Sequence, residues 1–364
     1  MDRSIYWNRI AKVRSLFSKK GLDSVWILGP ENRRYISGFR AQDTHITESS
    51  GSVLIGKEYV IIMTDPRYEL EAYRDSPDFE IKIFKDNPIK DICKIMIDSG
   101  VKRVGFDEDY ITWGLFHRLK QEFFEMKYDI EFVPLGHFLE EIRQIKDEHE
   151  ISLIKRSAHI ICNIMDQIVE SVEAGVTEKD LAFKMQELAY KTEAEGLSFP
   201  PIVASGPNSA LPHAVPTDKK ILPREPVIID IGVKFDGYCS DITRTVFVEC
   251  PDQEFKKIYS IIEKAQLLAI ETVKPGIKAS ELDSIAREFI VKSGYGKYFT
   301  HGLGHGIGLF VHERPRVSKT DPTVLMPGMV ITVEPGIYIP NKGGVRLEEM
   351  VLIKEDGCEV ITKG

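Results

Sequence analysis

The sequence predicts an α+β protein of two domains, a smaller N-terminal α/β domain and a larger C-terminal domain with internal pseudo-two-fold symmetry. Three observations support this. Short apolar runs alternate with helical patterns up to about residue 135, a strongly charged stretch follows, and the remainder repeats one helix–turn–helix grammar at Val172 and again at Val273. At 364 residues, 43% hydrophobic and 29% charged, the chain is long enough to build two substantial cores.

In the first domain Ile10, Val13, Leu16 and Phe17 recur at helical spacing. Strands are predicted at Val25–Leu28, Val53–Ile55, Tyr59–Ile62, 102–106 and 129–133. No chemical constellation stands out here. We place this domain at 1–135, a linker at 136–147 that overlaps the charged run from Glu140 to Glu150, and the second domain at 148–364.

The internal repeat begins where a long amphipathic pattern ends in Val172-Glu173-Ala174-Gly175-Val176 and Thr177-Glu178-Lys179-Asp180 announces a new helix, with an acid three residues after the capping threonine. In the second copy Val273-Lys274-Pro275-Gly276-Ile277 leads to Ser280-Glu281-Leu282-Asp283, read as the next helix start. Each copy is followed by a strand pair bearing two acids. A metal site near the internal axis is the expected consequence.

Val227-Ile228-Ile229-Asp230-Ile231 is an apolar strand, and Asp236-Gly237 is a hairpin turn that sets residue 232 opposite 241. Asp230 and Asp241 then become diagonal neighbours on one face, roughly 7–8 Å apart by Cα and able to share a metal pair. A solvated pair of strand acids is the alternative, but an aspartate buried in such a strand is costly without a cation. Further on, His301, His305 and His312 fall within twelve residues of a run with glycine at 302, 304, 306 and 308, which disfavours a helix and predicts a loop entering a strand. Val330-Ile331-Thr332-Val333-Glu334 delivers a third acid, Asn341-Lys342-Gly343-Gly344 turns the chain, and Arg346 and Glu348 share a face if extended. Spacing leaves Glu348 and Glu349 interchangeable. One histidine and four carboxylates can hold two divalent ions about 3.5–4 Å apart, an arrangement that activates water for hydrolysis.

Bulk properties exclude other classes. No apolar run reaches the roughly 20 residues of a membrane helix, and Met1-Asp2-Arg3-Ser4 opens an amphipathic stretch rather than a signal peptide, so a cytoplasmic location is expected. Five scattered cysteines without CxxC spacing argue against disulfides and zinc-thiolate sites. A net charge of −8 and a pI near 5.7 disfavour nucleic acid as a partner.

Several segments together resemble the creatinase-like metallopeptidases of pita-bread fold, in the branch of Xaa-Pro dipeptidases (prolidases) and aminopeptidases P. They are Ser205-Gly206-Pro207-Asn208-Ser209-Ala210-Leu211-Pro212-His213, Asp230 through Asp241-Ile242-Thr243-Arg244-Thr245, the run from His301 to Glu313, Glu334-Pro335-Gly336-Ile337-Tyr338 and Gly344-Val345-Arg346-Leu347-Glu348. The likeness covers residues 145–364 with high specificity. Asn32-Arg33-Arg34-Tyr35-Ile36-Ser37-Gly38-Phe39 resembles the family's N-terminal domain more loosely.

The resemblance implies a pita-bread catalytic domain behind a creatinase-type N-terminal domain with a substrate or dimer role. It makes Glu348 rather than Glu349 the ligand. By motif, Asp230 and Asp241 bind one metal, and Asp241 and Glu348 bridge to a second held by His305 and Glu334. Two Mn2+ ions are expected, with Co2+ or Zn2+ as alternatives; manganese suits oxygen-rich ligation. Glu334 is implied as the proton shuttle. His213, His301, His312, Tyr338 and Arg346 are implied to orient the substrate and stabilise the tetrahedral intermediate. The implied reaction is hydrolysis of the Xaa-Pro bond at the N-terminus of short proline-containing peptides by a homodimer. Phe310 and Glu349 depart from the family pattern, at positions where a polar residue and an aspartate are common. The competing readings are a methionine-aminopeptidase-like exopeptidase and a non-catalytic peptide-binding module on the same fold.

Overall fold

A computed structural model describes residues 3–43 and 45–363. Met1 and Asp2, at the head of the stretch read as amphipathic, lie outside the described residues. From Ser4 the chain is helical. It divides into two compact units, one running to Ile142 and the other from Arg143.

In the first unit, helices α1 (Ser4–Lys20), α2 (Pro30–Ser37), α3 (Glu69–Asp75), α4 (Pro88–Asp98) and α5 (Trp113–Glu125) accompany one mixed six-stranded sheet. Its strands are β1 (Ser24–Ile27), β2 (Gly51–Gly56), β3 (Val60–Thr64), β4 (Glu80–Ile83), β5 (Arg103–Phe106) and β6 (Glu131–Pro134), in the order β4-β3-β2-β1-β5-β6. All five predicted strands are present. The sixth, β4, was missed because Glu-Ile-Lys-Ile is short, charged and half exposed at the sheet edge. Asp107 binds the strand ends together, accepting hydrogen bonds from the Leu28 and Gly29 amides and from Asn32 Nδ2.

Helix α6 (Phe138–Gln144) occupies residues predicted as linker, and the division between the two units falls inside it. The second unit then opens with α7 (Glu148–Val169), capped by Asp147 in a reciprocal box with Glu150. After α8 (Glu178–Tyr190) come β7 (Gly196–Leu197), β8 (Ile202–Ser205), β9 (Pro226–Ile231), β10 (Val233–Phe235), β11 (Tyr238–Cys239) and β12 (Ile242–Phe247). The second half repeats the theme with α9 (Gln253–Thr272), α10 (Ala279–Lys292), β13 (Gly304–Gly306), β14 (Glu313–Val317), β15 (Val330–Val333), β16 (Gly336–Ile339), β17 (Gly343–Arg346), β18 (Glu349–Lys354) and β19 (Gly357–Val360). Each half has its own apolar core. Ile161, Ile164, Met185 and Ile229 are central to one, and Ile262, Leu282, Ile331 and Val351 to the other.

The first hairpin has the expected register. Asp236 and Gly237 both take positive φ, as a tight two-residue turn of this hand requires, and β9 pairs with β12 through Ile231↔Ile242 and Asp230↔Thr243. The first repeated helix start is also as expected, Thr177 capping α8 with Asp180 as its reciprocal partner. The second differs. Helix α10 starts one residue before Ser280, at Ala279, with Lys278 at the cap and the Glu281 carboxylate accepting from the Lys278 amide. An acid at the third helical position suffices to receive that N–H, so the capping hydroxyl sought in the sequence is not needed.

Glu178 is fully buried at the first turn of α8 and accepts from the Ser205 amide and hydroxyl, Asn208 Nδ2, and the Thr217 amide and hydroxyl. It thereby staples the loop between β8 and β9, which carries His213, to the helix. Removing the acceptor strands several buried donors at once, each costing about 1–3 kcal/mol. Glu178→Ala is therefore expected to lose about 3 kcal/mol or more in urea unfolding, while the exposed neighbour change Lys179→Ala stays within about 0.5 kcal/mol.

Candidate metal centre

Nine of the ten predicted site residues line one cavity of about 610 Å3 in the second unit: Asp230, Asp241, His305, Glu334, Glu348, His213, His301, His312 and Arg346. The tenth, Tyr338, is buried behind it. Asp230 comes from the apolar interior of β9, Asp241 from the residue just before β12, His305 from β13 and Glu334 from the residue just after β15. Glu348 sits where the β16–β17 hairpin has ended and β18 has not begun.

The glycine run around His305 has a packing reason. A Cβ at Gly304 would collide with the Thr332 carbonyl, and one at Gly306 with the Arg314 carbonyl. Only glycine lets β13 lie this close between β14 and β15. This sets His305 in place, and Nδ1–H donates to the Gly306 carbonyl at 3.0 Å. The Nε2 lone pair is left free, 3.4 Å from Glu334 Oε1 and 3.7 Å from Asp241 Oδ2.

Ligand atoms of Asp241, His305 and Glu348 all lie within 4.8 Å of one another. Asp230 is held from behind, with Arg346 Nη2 2.6 Å from Oδ2. Glu348 Oε2 accepts from the Thr243 hydroxyl at 2.7 Å. The remaining oxygens are the informative ones. Asp230 Oδ1, Asp241 Oδ1 and Glu348 Oε1 are buried without a hydrogen-bond partner among the described residues. Three orphaned carboxylate oxygens on three predicted ligands, beside a free imidazole nitrogen, are what a hard divalent cation satisfies. The residues present therefore fit a metal.

The electrostatics agree. Burial, followed by the charges of Glu348, Asp230 and Glu334, raises the Asp241 carboxyl well above its usual range. Burial and the neighbouring acids raise Glu348 likewise. Burial pushes Glu334 up to about 8 against the pull of Arg346. Burial, with His312 adding to it, depresses His305 to about 3, so the ring is neutral and able to ligate. Acids crowded this way hold protons until a cation replaces them.

Beside the carboxylates runs a hydrogen-bonded chain. Arg346 Nη1 donates to the Tyr338 hydroxyl at 2.9 Å, and that hydroxyl lies 3.0 Å from His301 Nε2. His301 Nδ1 is 2.7 Å from its acceptor, the Gly302 carbonyl, so its Nε2 receives the Tyr338 proton. Burial pushes Tyr338 up to about 12 and His301 down to about 4, which keeps both neutral. His312 meets His305 edge to face with ring centroids 4.5 Å apart. Phe310, 46% exposed, touches His312 from the other side with centroids 6.4 Å apart, so this departure from the family pattern reaches the site through a histidine.

Sequence reading missed several contributors. Thr243 stands two residues from Asp241, and strand alternation alone could have placed both on one face. Arg287 donates to the carbonyls of Phe299 and His301 while paired with buried Asp283, fixing the loop that presents His301. Its only sequence signal was helical spacing from Asp283. Arg316, paired across the ladder with His305, lines the cavity and makes no ion pair among the described residues. Glu313, which also lines the cavity, is neutralised instead by buried Arg143 and Lys146.

Comparison with known proteins is consistent with this geometry. The description of metallopeptidase family M24 matches residues 152–355, and that of the creatinase/prolidase N-terminal domain matches residues 9–145. An Xaa-Pro dipeptidase of Pyrococcus horikoshii is 39% identical over 98% of this chain and 97% of its own length. Among solved structures, an Xaa-Pro dipeptidase from Bacillus anthracis is similar at a TM-score of 0.92 and 37% identity, covering 99% of this chain and 98% of that one. An X-Pro aminopeptidase from Thermotoga maritima is similar at 0.85 and 37% identity, covering 94% of this chain and 96% of that one. The chain is thus a hydrolase belonging to metallopeptidase family M24, with a creatinase/prolidase N-terminal domain ahead of the catalytic one.

Proposed function

We propose that this chain is a dinuclear metal-dependent Xaa-Pro dipeptidase, with Asp230, Asp241, His305, Glu334 and Glu348 as ligands and Mn2+ as the preferred ion. Four carboxylates and one imidazole are a hard donor set, which favours manganese over softer metals. When bound, the ions would lower the pKa of water and polarise the scissile carbonyl. A homodimer belongs to this reading on the family resemblance, and a cytoplasmic location on the amphipathic opening of the sequence; no helix among the described residues is long and apolar enough to cross a membrane.

The chain's own residues supply the rest. Glu334, whose Oε1 stands 3.4 Å from His305 Nε2 in the same cavity, is the carboxylate placed to take a proton there and pass it on. His213 and His312 line the same cavity with imidazoles that can donate to a developing oxyanion, while His301, engaged by the Gly302 carbonyl and Tyr338, shapes its wall. Arg346 and Tyr338 hold His301 Nε2 in position. A bond to proline offers no N–H for strand-like docking, so recognition has to come from side chains around the ring.

One observation favours dipeptides over longer chains. Arg316 places a cation without a carboxylate partner among the described residues in the same cavity as the ligands. A dipeptide ending in proline presents a free carboxylate there, whereas a longer peptide presents an amide. Turnover of an Xaa-Pro dipeptide should exceed that of the matching Xaa-Pro-Yaa tripeptide, and the reverse order would establish the aminopeptidase reading. A charge-assisted hydrogen bond is worth about 1.5–3 kcal/mol, so Arg316→Met should lower kcat/KM for the dipeptide roughly 10–100-fold and barely affect the tripeptide.

Asp241→Ala and Glu348→Ala are each expected to reduce hydrolysis to background while the circular dichroism spectrum stays native. Appreciable turnover in both would remove the ligand assignment. A pH dependence follows from the raised carboxyls. A folded-state pKa above the unfolded value means that the native state binds more protons, so this contribution is full below the ordinary carboxylate pKa and is lost as pH rises through about 8 for Glu334. Thermal midpoints measured in EDTA should accordingly fall between pH 5 and pH 9 (on the order of a few degrees). Added Mn2+ should raise the midpoint most at the alkaline end, where it no longer competes with protons.

A further inference from the structure

We propose that Arg244 is a positioning residue for the metal centre: with Glu349 and Thr362 it clamps the backbone of Glu348 and so sets where that carboxylate stands relative to Asp241. The proposal rests on the reading of Asp241 and Glu348 as ligands, and goes beyond it to residues that line no part of the cavity.

Glu348 needs such a device because of its place in the chain. Strand β17 ends at Arg346 and β18 begins at Glu349, so the backbone of Glu348 belongs to no ladder. Both of its backbone groups are instead held by β12. The Glu348 amide donates to the Thr243 carbonyl at 3.1 Å, and the Glu348 carbonyl accepts from Arg244 Nη1 at 2.7 Å. Along β12 the side chains divide by alternation. Thr243 and Thr245 face Glu348 and Arg346, donating to Glu348 Oε2 and to the Arg346 carbonyl. Arg244 lies between them and leaves by the opposite face.

On that face the guanidinium is fixed by further contacts. Arg244 Nη1 also donates to the Thr243 carbonyl at 3.1 Å, and Nη2 pairs with Glu349 Oε1 at 2.9 Å. The other Glu349 oxygen accepts from the Thr362 hydroxyl at 2.6 Å. That same hydroxyl accepts the Met350 amide at 2.8 Å, and Thr362 is fully buried. The ion pair is itself half-buried, with the side chains 27% and 15% exposed. Arg244 therefore reaches Glu348 from a strand whose N-terminal flank is Asp241, and Asp241 in turn contacts Met350 through its amide, 3.3 Å from the sulfur. One guanidinium thus ties together the chain segments bearing two of the three carboxylates with orphaned oxygens. A planar fork suits this, because one group can serve two carbonyls and a carboxylate at fixed angles. It also gives the Glu349 departure a meaning, since the longer acid reaches Arg244 and Thr362 together.

The test uses the full-length protein freed of metal with EDTA, and compares wild type with Arg244→Met, which keeps the stem, and Glu349→Gln, which keeps shape and loses charge. Three quantities are measured: Mn2+ affinity by calorimetry, the thermal midpoint in EDTA, and kcat and KM for an Xaa-Pro dipeptide. Partners that orient ligands typically contribute 10–100-fold to metal affinity, so both variants should bind Mn2+ about 10–100-fold more weakly. At saturating Mn2+, KM should stay within roughly twofold of wild type while kcat falls. Wild-type Mn2+ affinity in both folded variants would overturn the proposal. So would a weakening matched by a general collapse of the EDTA midpoint in both, which would mark the cluster as structural only. If Arg244→Met does not fold, the isosteric Glu349→Gln decides by the same criteria. A wild-type protein that binds no Mn2+ would overturn the metallopeptidase reading and this proposal with it.

Discussion

Four carboxylates, Asp230, Asp241, Glu334 and Glu348, share one cavity, and Arg346 is the buried cation that touches them directly, through Asp230. That imbalance of charge in a low-dielectric setting is the constraint around which the catalytic unit is organised. Left alone, such a cluster repels itself and keeps protons. The fold tolerates it because strands packed on both sides fix each acid in place, and because the orphaned oxygens of three of them can be satisfied by cations rather than by water. The neutral His305, with Nε2 free and Nδ1 occupied, completes the donor set without adding a competing positive charge.

Internal repetition supplies the scaffold in two parts. Each half packs two helices against strands over its own apolar core, and each delivers two acids to the shared cavity. The halves also fix their histidine loops by related means. In the first, Glu178 at the start of α8 staples the segment that carries His213. In the second, Asp283 and Arg287 on α10 hold the carbonyls of Phe299 and His301 and the Leu303 amide. Both devices are buried and charged, so they are costly to assemble and costly to break. That rigidity suits a site whose groups must stay in position when protons and ions exchange.

Much of this was legible in the chain. The Asp-Gly turn fixed the β9–β12 register, because a two-residue loop leaves one pairing, and that pairing set Asp230 beside Thr243 and Asp241 on one face. The buried strand Val-Ile-Ile-Asp-Ile marked Asp230 as anomalous, and the alternating glycines marked His305. Strand β4 escaped notice because its side chains are half exposed and carry no apolar pattern. The start of α10 was misplaced because a side-chain carboxylate can receive a cap amide with no hydroxyl before it.

By itself the sequence determined the candidate ligand types, the two halves and the hairpins, since these follow from local periodicity, turn chemistry and the cost of burying charge. It could not choose between Glu348 and Glu349 by spacing. Tertiary structure gives the two carboxylates different surroundings. Glu348 enters the cavity with an orphaned oxygen, whereas Glu349 pairs with Arg244 and Thr362. The same holds for Arg316, Arg287 and Glu178, whose roles depend on partners 11 to 39 positions away or on facing the shared cavity. Period and composition describe what a residue can do along its own element. Which element lies opposite is set by packing between distant segments, where one fixed geometry is selected from many that the local pattern allows.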